Sequence, residues 1–329
     1  MRGMITVFWH ELADNFSSWR FMIISGLVLL AGTFTIYVAA NNISAEVTDV
    51  TTNKYYYAVP DLIRFVFLRL YTTPSDILNF SFLSFIVFFV PIVGIALGFD
   101  AINGEKNNGT LSRLLSLPIF RDAVINGKFL AGVATMAVML VSIVMLVAGV
   151  GLMKLGVFPS PEEIIRLMAF LALSIVYGAF WLGLAMVFSI FFRRVATSAL
   201  ASIAIWIFVI FFMYVFAALI ANMIVPVNQQ TTTQDLFRNQ QITINVMHIS
   251  PGTMFEEASY ILLAPESRTM AQALQAQVSD LKDWMLPSRL PLAQSLVIVW
   301  PQIMSLLAIT VVLFAVSYIR FMREEIRST

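Results

Sequence analysis

Six long apolar runs divide the chain, and none of them contains Asp, Glu, Lys, Arg or His. They cover residues 21–40, 77–99, 129–153, 167–192, 195–221 and 293–319. A hydrocarbon core of about 30 Å is crossed by about 20 residues of α-helix. Because the runs are continuous and do not alternate as barrel strands do, each is typical of a transmembrane helix. We therefore predict an all-α polytopic membrane protein with six transmembrane helices, five of them within residues 21–221.

A shorter amphipathic pattern precedes the first run. Within residues 1–20, bulky apolar side chains recur at helical spacing: Ile5, Phe8, Trp9, Leu12, Phe16 and Trp19. An amphipathic helix with two Trp residues suits the headgroup region, so we expect residues 1–20 to form an interface helix. Packing of this helix against other cytoplasmic segments is the alternative.

The longest segment outside the runs, residues 222–292, is expected to form a small extracytoplasmic region before the last span. An alternating apolar pattern predicts a short strand and is formed by Ile242, Ile244 and Val246. Thr253 followed by Glu256 has the spacing of a capping box, which predicts a short helix that ends near Pro265.

The distribution of basic residues predicts the orientation. If the N-terminus is cytoplasmic, segments 1–20, 100–128, 193–194 and 320–329 are cytoplasmic and carry 11 Lys and Arg in 61 residues. The segments on the other side carry 9 in 120 residues. Because Lys and Arg concentrate in cytoplasmic loops, both termini are expected in the cytoplasm, with 320–329 as a cytoplasmic tail.

Composition narrows the classes of function. Hydrophobic residues make up 59% of the 329 residues and charged residues 12%, which excludes a soluble globular protein. The net charge of +1 argues against nucleic-acid binding. The chain has no cysteine, and its two histidines, His10 and His248, lie outside the runs as expected surface or interface residues. Its 17 Met are scattered as packing residues, so no metal site is predicted.

The segment 100–128 between the second and third runs has the most specific pattern. Gly109 allows a backbone turn with positive φ, and Thr110 is suited to cap the helix that follows. One face of that helix is formed by Leu111, Leu114 and Leu115. Pro118 ends the helix after about two turns.

A two-turn helix between two membrane spans contributes little to the stability of a membrane protein. Its apolar face suits insertion into a groove on a partner protein, with Arg113 and Arg121 as basic residues around it. On these residues alone, an ordinary interfacial helix fits equally well. Gly104 and Gly109 have the spacing of a phosphate loop, but the required Lys after the second Gly is absent, so ATP binding there is not expected.

The same segment carries a family resemblance. Residues 100–118 read Asp-Ala-Ile-x-Gly-Glu-x-x-x-Gly-Thr-Leu-x-x-Leu-Leu-x-x-Pro, followed by Gly-Lys-Phe at 127–129. With the amphipathic entry helix and six spans, this run resembles the permease subunits of ABC-2 type transporters. It is most similar to the branch that includes the membrane subunit of the nitrous-oxide-reductase maturation transporter.

The resemblance implies a permease subunit of an exporter in a prokaryotic plasma membrane, without a cofactor of its own. In that family two permease subunits pair, as a homodimer or pseudo-dimer, and each docks a separate cytoplasmic ABC ATPase subunit that binds the ATP. The permease itself is therefore not expected to be an enzyme. The residues that the resemblance and their position assign to ATPase docking are Glu105, Gly109, Thr110, Leu111, Arg113, Leu114, Pro118 and Arg121 in the first coupling segment and Arg193 and Arg194 at the second cytoplasmic turn.

Other classes fit the topology. A secondary transporter normally has an ionisable residue or a broken helix at mid-membrane, and the six runs contain no ionisable residue. An intramembrane enzyme would need a nucleophile–base pair or metal ligands near a span. A non-transporting membrane anchor of an assembly has the same composition as a permease. For a transporter, charge-free spans favour an apolar or amphiphilic substrate.

Proline and glycine residues predict kinks or close helix contacts in two spans. Pro91 and Pro301 are expected to kink the second and sixth spans. Gly94 and Gly98 form a face of small residues four apart, which allows close helix contact. That contact lies either within one protomer or at a dimer seam.

Overall fold

Helices make up nearly all of the computed structural model, which describes residues 2–52, 65–74, 80–110, 120–156, 158–228, 232–265 and 290–323. In chain order they are α1 (Arg2–Ser17), α2 (Trp19–Thr52), α3 (Val66–Thr72), α4 (Phe82–Gly98), α5 (Asn103–Asn107), α6 (Arg121–Leu155), α7 (Pro161–Phe191), α8 (Val195–Ile224), α9 (Thr233–Met247), α10 (Pro251–Leu263) and α11 (Leu292–Arg323). Helix α8 contains a five-residue π-helical segment, Phe208–Phe212. The all-α prediction is confirmed.

Six of these helices are long and apolar enough to cross a membrane: α2, α4, α6, α7, α8 and α11. They match the six predicted runs in order, so this prediction is also confirmed. Several helices extend beyond the apolar runs, since α6 begins at Arg121 and α11 ends at Arg323. Backbone hydrogen bonding does not require apolar side chains, and these helices therefore continue into their polar flanks.

Helix α7 is the most buried of the long helices and packs against α4, α6 and α11. Its contact with α4 is close because two glycines of α4 have no side chain. A Cβ on Gly94 would lie 2.9 Å from Trp181 Cβ, and one on Gly98 would lie 2.8 Å from Ala185 Cβ. The face of small residues therefore packs within this chain, which is the first of the two alternatives.

Pro91 lies inside α4, which continues through it as one helix. Proline has no N–H, so the carbonyl of Val87, one turn earlier, loses its helical partner. The hydroxyl of Tyr177 on α7 donates to this carbonyl at 3.1 Å. Tyr177 thus satisfies a polar group that the proline leaves unpaired in the apolar interior. Pro301 is likewise enclosed in the continuous helix α11.

Helix α1 packs on the first turns of α6. Val7 is 5% exposed, and a Cβ on Gly127 would lie 2.8 Å from Val7 Cγ1. The opposite side of α1 leaves Trp9 62% exposed and also exposes Ile5 and Phe16. The helix therefore packs on another part of the chain and keeps an apolar stripe uncovered.

The predicted short strand is wrong, because Ile242, Ile244 and Val246 lie in helix α9. Ile242 and Val246 are four residues apart, so they also share a helical face, and alternation over five residues does not distinguish the two structures. Packing against α8 decides in favour of the helix. Asn239 Nδ2 of α9 donates to the carbonyl of Val225, just after α8, at 2.7 Å.

Helix α10 corresponds to the helix predicted to end near Pro265, but its start differs. Ser250 precedes Pro251, and its hydroxyl oxygen accepts from the backbone N–H of Thr253 at 3.4 Å. Ser250 is therefore the N-cap, and Thr253 lies within the first turn. Proline at the first helical position favours this start, because an N–H group at that position would have no helical partner, and its absence in proline therefore costs no hydrogen bond.

Helix α10 runs antiparallel to α7 inside the bundle. Near its start, the ring of Phe255 stacks on Tyr177 with centroids 4.3 Å apart. Near its end, the carbonyl of Leu262 accepts from Arg166 at 3.1 Å. Tyr177 and Arg166 are eleven residues apart on α7, which is about 16 Å along the helix axis. Helices α9 and α10 are joined by a turn, residues 248–250, that lies near the depth of Tyr177; α9 packs on α8 and α10 packs on α7 and α11. We call the two helices the α9–α10 hairpin and this turn its tip.

Arg166 joins the neighbouring ends of three helices and is fully buried. Besides Leu262 of α10, it donates to the carbonyl of Leu290 at 2.7 Å and to Ser295 Oγ of α11 at 3.2 Å. Its charge is paired with Glu162 at 2.9 Å. We call this side of the bundle the α10 end, and the opposite side, which carries α1 and α5, the α1 end.

Candidate functional site

The α1 end gathers the segments that the resemblance assigns to coupling. Helix α5 follows α4 there, and the turn 192–194 joins α7 to α8. Arg20 at the start of α2 pairs with Asp100 after α4, with Nη1 and Oδ2 2.7 Å apart. The guanidinium of Arg320 on α11 lies 5.5 Å from the ring centroid of Phe191 on α7. These contacts tie the ends of the spans to one another.

Ser189 of α7 anchors the start of α5. The first N–H groups of a helix have no helical partner. Ser189 Oγ accepts from the N–H groups of Ile102 at 3.0 Å and Asn103 at 3.1 Å, and it donates to Asn103 Oδ1 at 3.1 Å. Ser189 and Asn103 are both fully buried. The start of α5 is therefore fixed to the end of α7.

Lys128 of α6 anchors α5 on its other side. Its ammonium group lies 2.6 Å from Glu11 Oε1 of α1 and 2.8 Å from Glu105 Oε1 of α5. The three side chains are 5%, 18% and 20% exposed for Lys128, Glu11 and Glu105. We call these residues the Lys128 cluster. One buried cation thus holds two carboxylates and, with them, three helices.

The structure places part of the predicted docking segment next to this cluster. Glu105 belongs to the cluster itself. Gly109 has the positive φ predicted for the turn, 67°, and the hydroxyl of Thr110 donates to the carbonyl of Glu105 at 3.2 Å. The other predicted residues of this segment lie outside the described residues: Leu111, Arg113, Leu114 and Pro118.

The second predicted docking element adjoins the first. Arg193 and Arg194 are exposed in the turn between α7 and α8, and Arg121 is the first residue of α6. Asn103 Nδ2 donates to the carbonyl of Phe192 at 3.5 Å, which links α5 to this turn. The described part of the first segment and the second turn therefore belong to one surface at the α1 end.

The sequence interpretation missed Glu11, Lys128 and Ser189 as the groups that hold this surface. A signal for Glu11 is present, because it follows Val7 by four residues and so lies on the face of α1 that packs on α6. A carboxylate on a packed face needs a cationic partner. Ser189 gives no such signal, since a serine in an apolar helix commonly bonds its own backbone.

A second candidate site is a cleft of about 650 Å³ between α2, α4, α8 and α10. Its walls carry six phenylalanine rings: Phe34, Phe80, Phe85, Phe88, Phe89 and Phe211. Among the described residues that line it, Glu256 of α10 is the only ionisable one. Burial raises the pKa of the Glu256 carboxyl, and within the described ranges no hydrogen-bond donor or cation is paired with it.

The neighbouring carboxylate, Glu257, is paired. Its Oε2 lies 2.6 Å from His248 Nε2 at the hairpin tip. His248 therefore ties the hairpin tip to α10. The described part of the chain has no group of three or more His, Asp and Glu residues placed to hold a metal ion.

The six spanning helices make this chain a multi-pass membrane protein. It belongs to the ABC-2 family of transporter proteins, whose family profile, described as ABC-2 family transporter protein, matches residues 5–326. It is also 30% identical over 132 residues to the Probable ABC transporter permease protein NosY of Pseudomonas aeruginosa. That match covers 39% of this chain and 46% of the relative, less than half of the relative's length. The resemblance to ABC-2 permeases is confirmed.

Proposed function

We propose that this chain is the permease subunit of an ABC-2 type exporter and that separate ATPase subunits dock at its α1 end. The observation that carries this proposal is the anchoring of α5, which is held by Ser189 of α7 and by Lys128 of α6. Family membership supplies the transporter class. The contacts supply a packed route from the docking segment to the spanning helices.

The route explains how force on the docking segment reaches the other end of the bundle. A partner that moves α5 pulls on α1 and α6 through the Lys128 cluster and on α7 through Ser189. Helix α7 is tightly packed, so it moves as a rigid element. At its far end Arg166 holds α10 and α11. Closure of the ATPases is thereby transmitted to the α10 end.

The proposal has consequences for sidedness and assembly. The α1 end and both termini face the cytoplasm of a prokaryotic cell, and the α10 end faces outward, as the excess of Lys and Arg at the α1 end favours. Two permease subunits pair in the plasma membrane, either two copies of this chain or this chain and a homologue. ATP is bound and hydrolysed by the partner subunits.

Native purification tests the docking. We expect an ABC ATPase to co-purify with the chain and to be identified by mass spectrometry. The double variant Arg113→Glu with Leu114→Asp reverses the charge and removes the apolar face, so recovery of the ATPase should fall at least about tenfold.

A matched variant at the α10 end provides the control. Leu236→Asp with Arg238→Glu makes the same two changes on exposed residues of α9, and ATPase recovery should equal that of the wild type. Unchanged recovery in the docking variant, with normal membrane insertion, contradicts the proposal. Substrate-dependent ATPase activity of the reconstituted complex separates a transporter from a non-transporting anchor.

A further inference from the structure

The cleft between α2, α4, α8 and α10 combines an aromatic wall with one acidic side chain. We propose that it binds a hydrophobic cation, an amphiphile whose positive charge pairs with Glu256 and whose apolar body packs on the phenylalanine rings. The cation is the substrate class of the transporter, and this part rests on the proposed function. The binding itself does not depend on an ATPase.

The size and lining of the cleft suit such a molecule. Its volume of about 650 Å³ lies within the range of sites that hold drug-sized ligands. The wall is preformed, because the ring of Phe88 packs edge-on against Trp206 and Phe211 with centroids 5.0 Å and 6.5 Å apart. Aromatic ring faces attract cations and also bury apolar surface, so one wall serves both parts of the ligand.

The positive charge of the proposed ligand is inferred from Glu256. Two other carboxylates at this side of the bundle have cationic or hydrogen-bonding partners: Glu257 is paired with His248 and Glu162 with Arg166. Glu256 has none among the described residues, although it is partly buried in the apolar cleft. Transfer of a carboxylate from water to such surroundings is unfavourable, which raises the pKa of Glu256, and a cation beside the carboxylate would stabilise the ionised form. A ligand cation supplies that positive charge.

The cleft is also accessible from the side of the bundle. Phe34 of α2 and Phe211 of α8 line it and are 48% and 57% exposed on the bundle surface. Phe211 belongs to the π-helical segment, a departure from α-helical geometry that occurs often at functional sites. A ligand that partitions into the bilayer therefore reaches Glu256 between α2 and α8.

Two probes of similar size and opposite charge test this proposal. The full chain is reconstituted in lipid nanodiscs, and saturable binding of tetraphenylphosphonium and of tetraphenylborate is measured, with empty nanodiscs as the reference for partitioning. We expect saturable binding of the cation only. Glu256→Gln should weaken cation binding at least about tenfold, because it removes one partner of a desolvated charge pair.

Two further variants control for folding. Glu257→Gln changes the adjacent acidic residue, which does not line the cleft, and should retain cation binding. Ala31→Phe keeps Glu256 but fills the cleft, and it should lose binding. Binding is compared only among variants that elute from gel filtration at the same volume as the wild type.

Equal binding of both probes, absence of saturable cation binding, or unchanged binding in Glu256→Gln or Ala31→Phe would each overturn the proposal. So would an equal loss in Glu257→Gln. If the chain binds the cation but no ATPase co-purifies with it, the binding site is supported and only the proposed permease function is contradicted.

Discussion

At the scale of single residues, Lys128 determines how α1, α5 and α6 meet. Its ammonium group is the shared partner of Glu11 and Glu105, and all three side chains are mostly buried. Removal of a buried cation leaves both carboxylates without a counter-charge, which costs about 3 kcal/mol or more. We therefore expect Lys128→Met to lower the thermal unfolding temperature of the purified chain in detergent by several degrees.

Two comparisons separate charge pairing from loss of a long side chain. Lys154→Met is the matched control on the same helix, because Lys154 is exposed and contacts the ring of Tyr37 at 4.2 Å; its cost should stay below about 1 kcal/mol. Addition of Glu11→Gln and Glu105→Gln to Lys128→Met should restore most of the lost stability. A triple variant no more stable than the single one would contradict the pairing.

The sequence singled out residues 100–128 as the candidate docking segment but did not indicate what holds its start. Gly109 and Thr110 belong to a local motif whose spacing is visible along the chain. Glu11 and Lys128 are 117 residues apart, and no periodicity relates them. Their pairing depends on α1 folding back onto α6, where Gly127 lets Val7 approach closely. Such contacts follow from tertiary packing, which a single sequence does not display.

At the scale of elements, the contact between α4 and α7 depends on a proline in one helix and a tyrosine in the other. Tyr177→Phe removes the donor to the carbonyl of Val87 and leaves it unpaired in the interior, which should cost about 1–3 kcal/mol. Pro91→Ala supplies a backbone N–H to the same carbonyl. We therefore expect the tyrosine substitution to cost less when residue 91 is alanine.

A double-mutant cycle measures this coupling. The unfolding free energies of the wild type, Tyr177→Phe, Pro91→Ala and the double variant are compared under the same detergent conditions. A positive coupling of about 1 kcal/mol is expected from one hydrogen bond. Additive effects would mean that the hydroxyl of Tyr177 does not compensate for the proline.

The six spans and the α9–α10 hairpin differ in how far local sequence determines them. A continuous apolar run of 20 or more residues has one stable form in a bilayer, so α2, α4, α6, α7, α8 and α11 follow directly from hydropathy. Helix α9 is amphipathic and short, and its alternating apolar residues fit either a strand or a helix. Its packing on α8 and the insertion of α10 beside α7 decide the structure. Local patterns do not contain this information.

At the scale of the whole molecule, the two ends of the bundle are built differently. Ion pairs and hydrogen bonds at the α1 end join α1, α2, α4, α5, α6 and α7. At the α10 end, Arg166 holds the hairpin and α11 to the start of α7. The cleft with Glu256 lies between the spans and the hairpin. Movement of α7 would therefore reach α5 through Ser189 and the cleft through α10, which packs on Tyr177.

This division of roles requires that the α1 end face the ATP-containing compartment, and the absence of cysteine makes the test direct. Asn108→Cys and Arg194→Cys introduce single exposed thiols at the α1 end, and Phe158→Cys introduces one at the α10 end, where the native side chain is 82% exposed. In intact cells a membrane-impermeant maleimide should label only Phe158→Cys. The two α1-end variants should react only after permeabilisation. The reverse pattern would place the docking segment outside the cell, away from ATP, and would contradict a permease driven through α5.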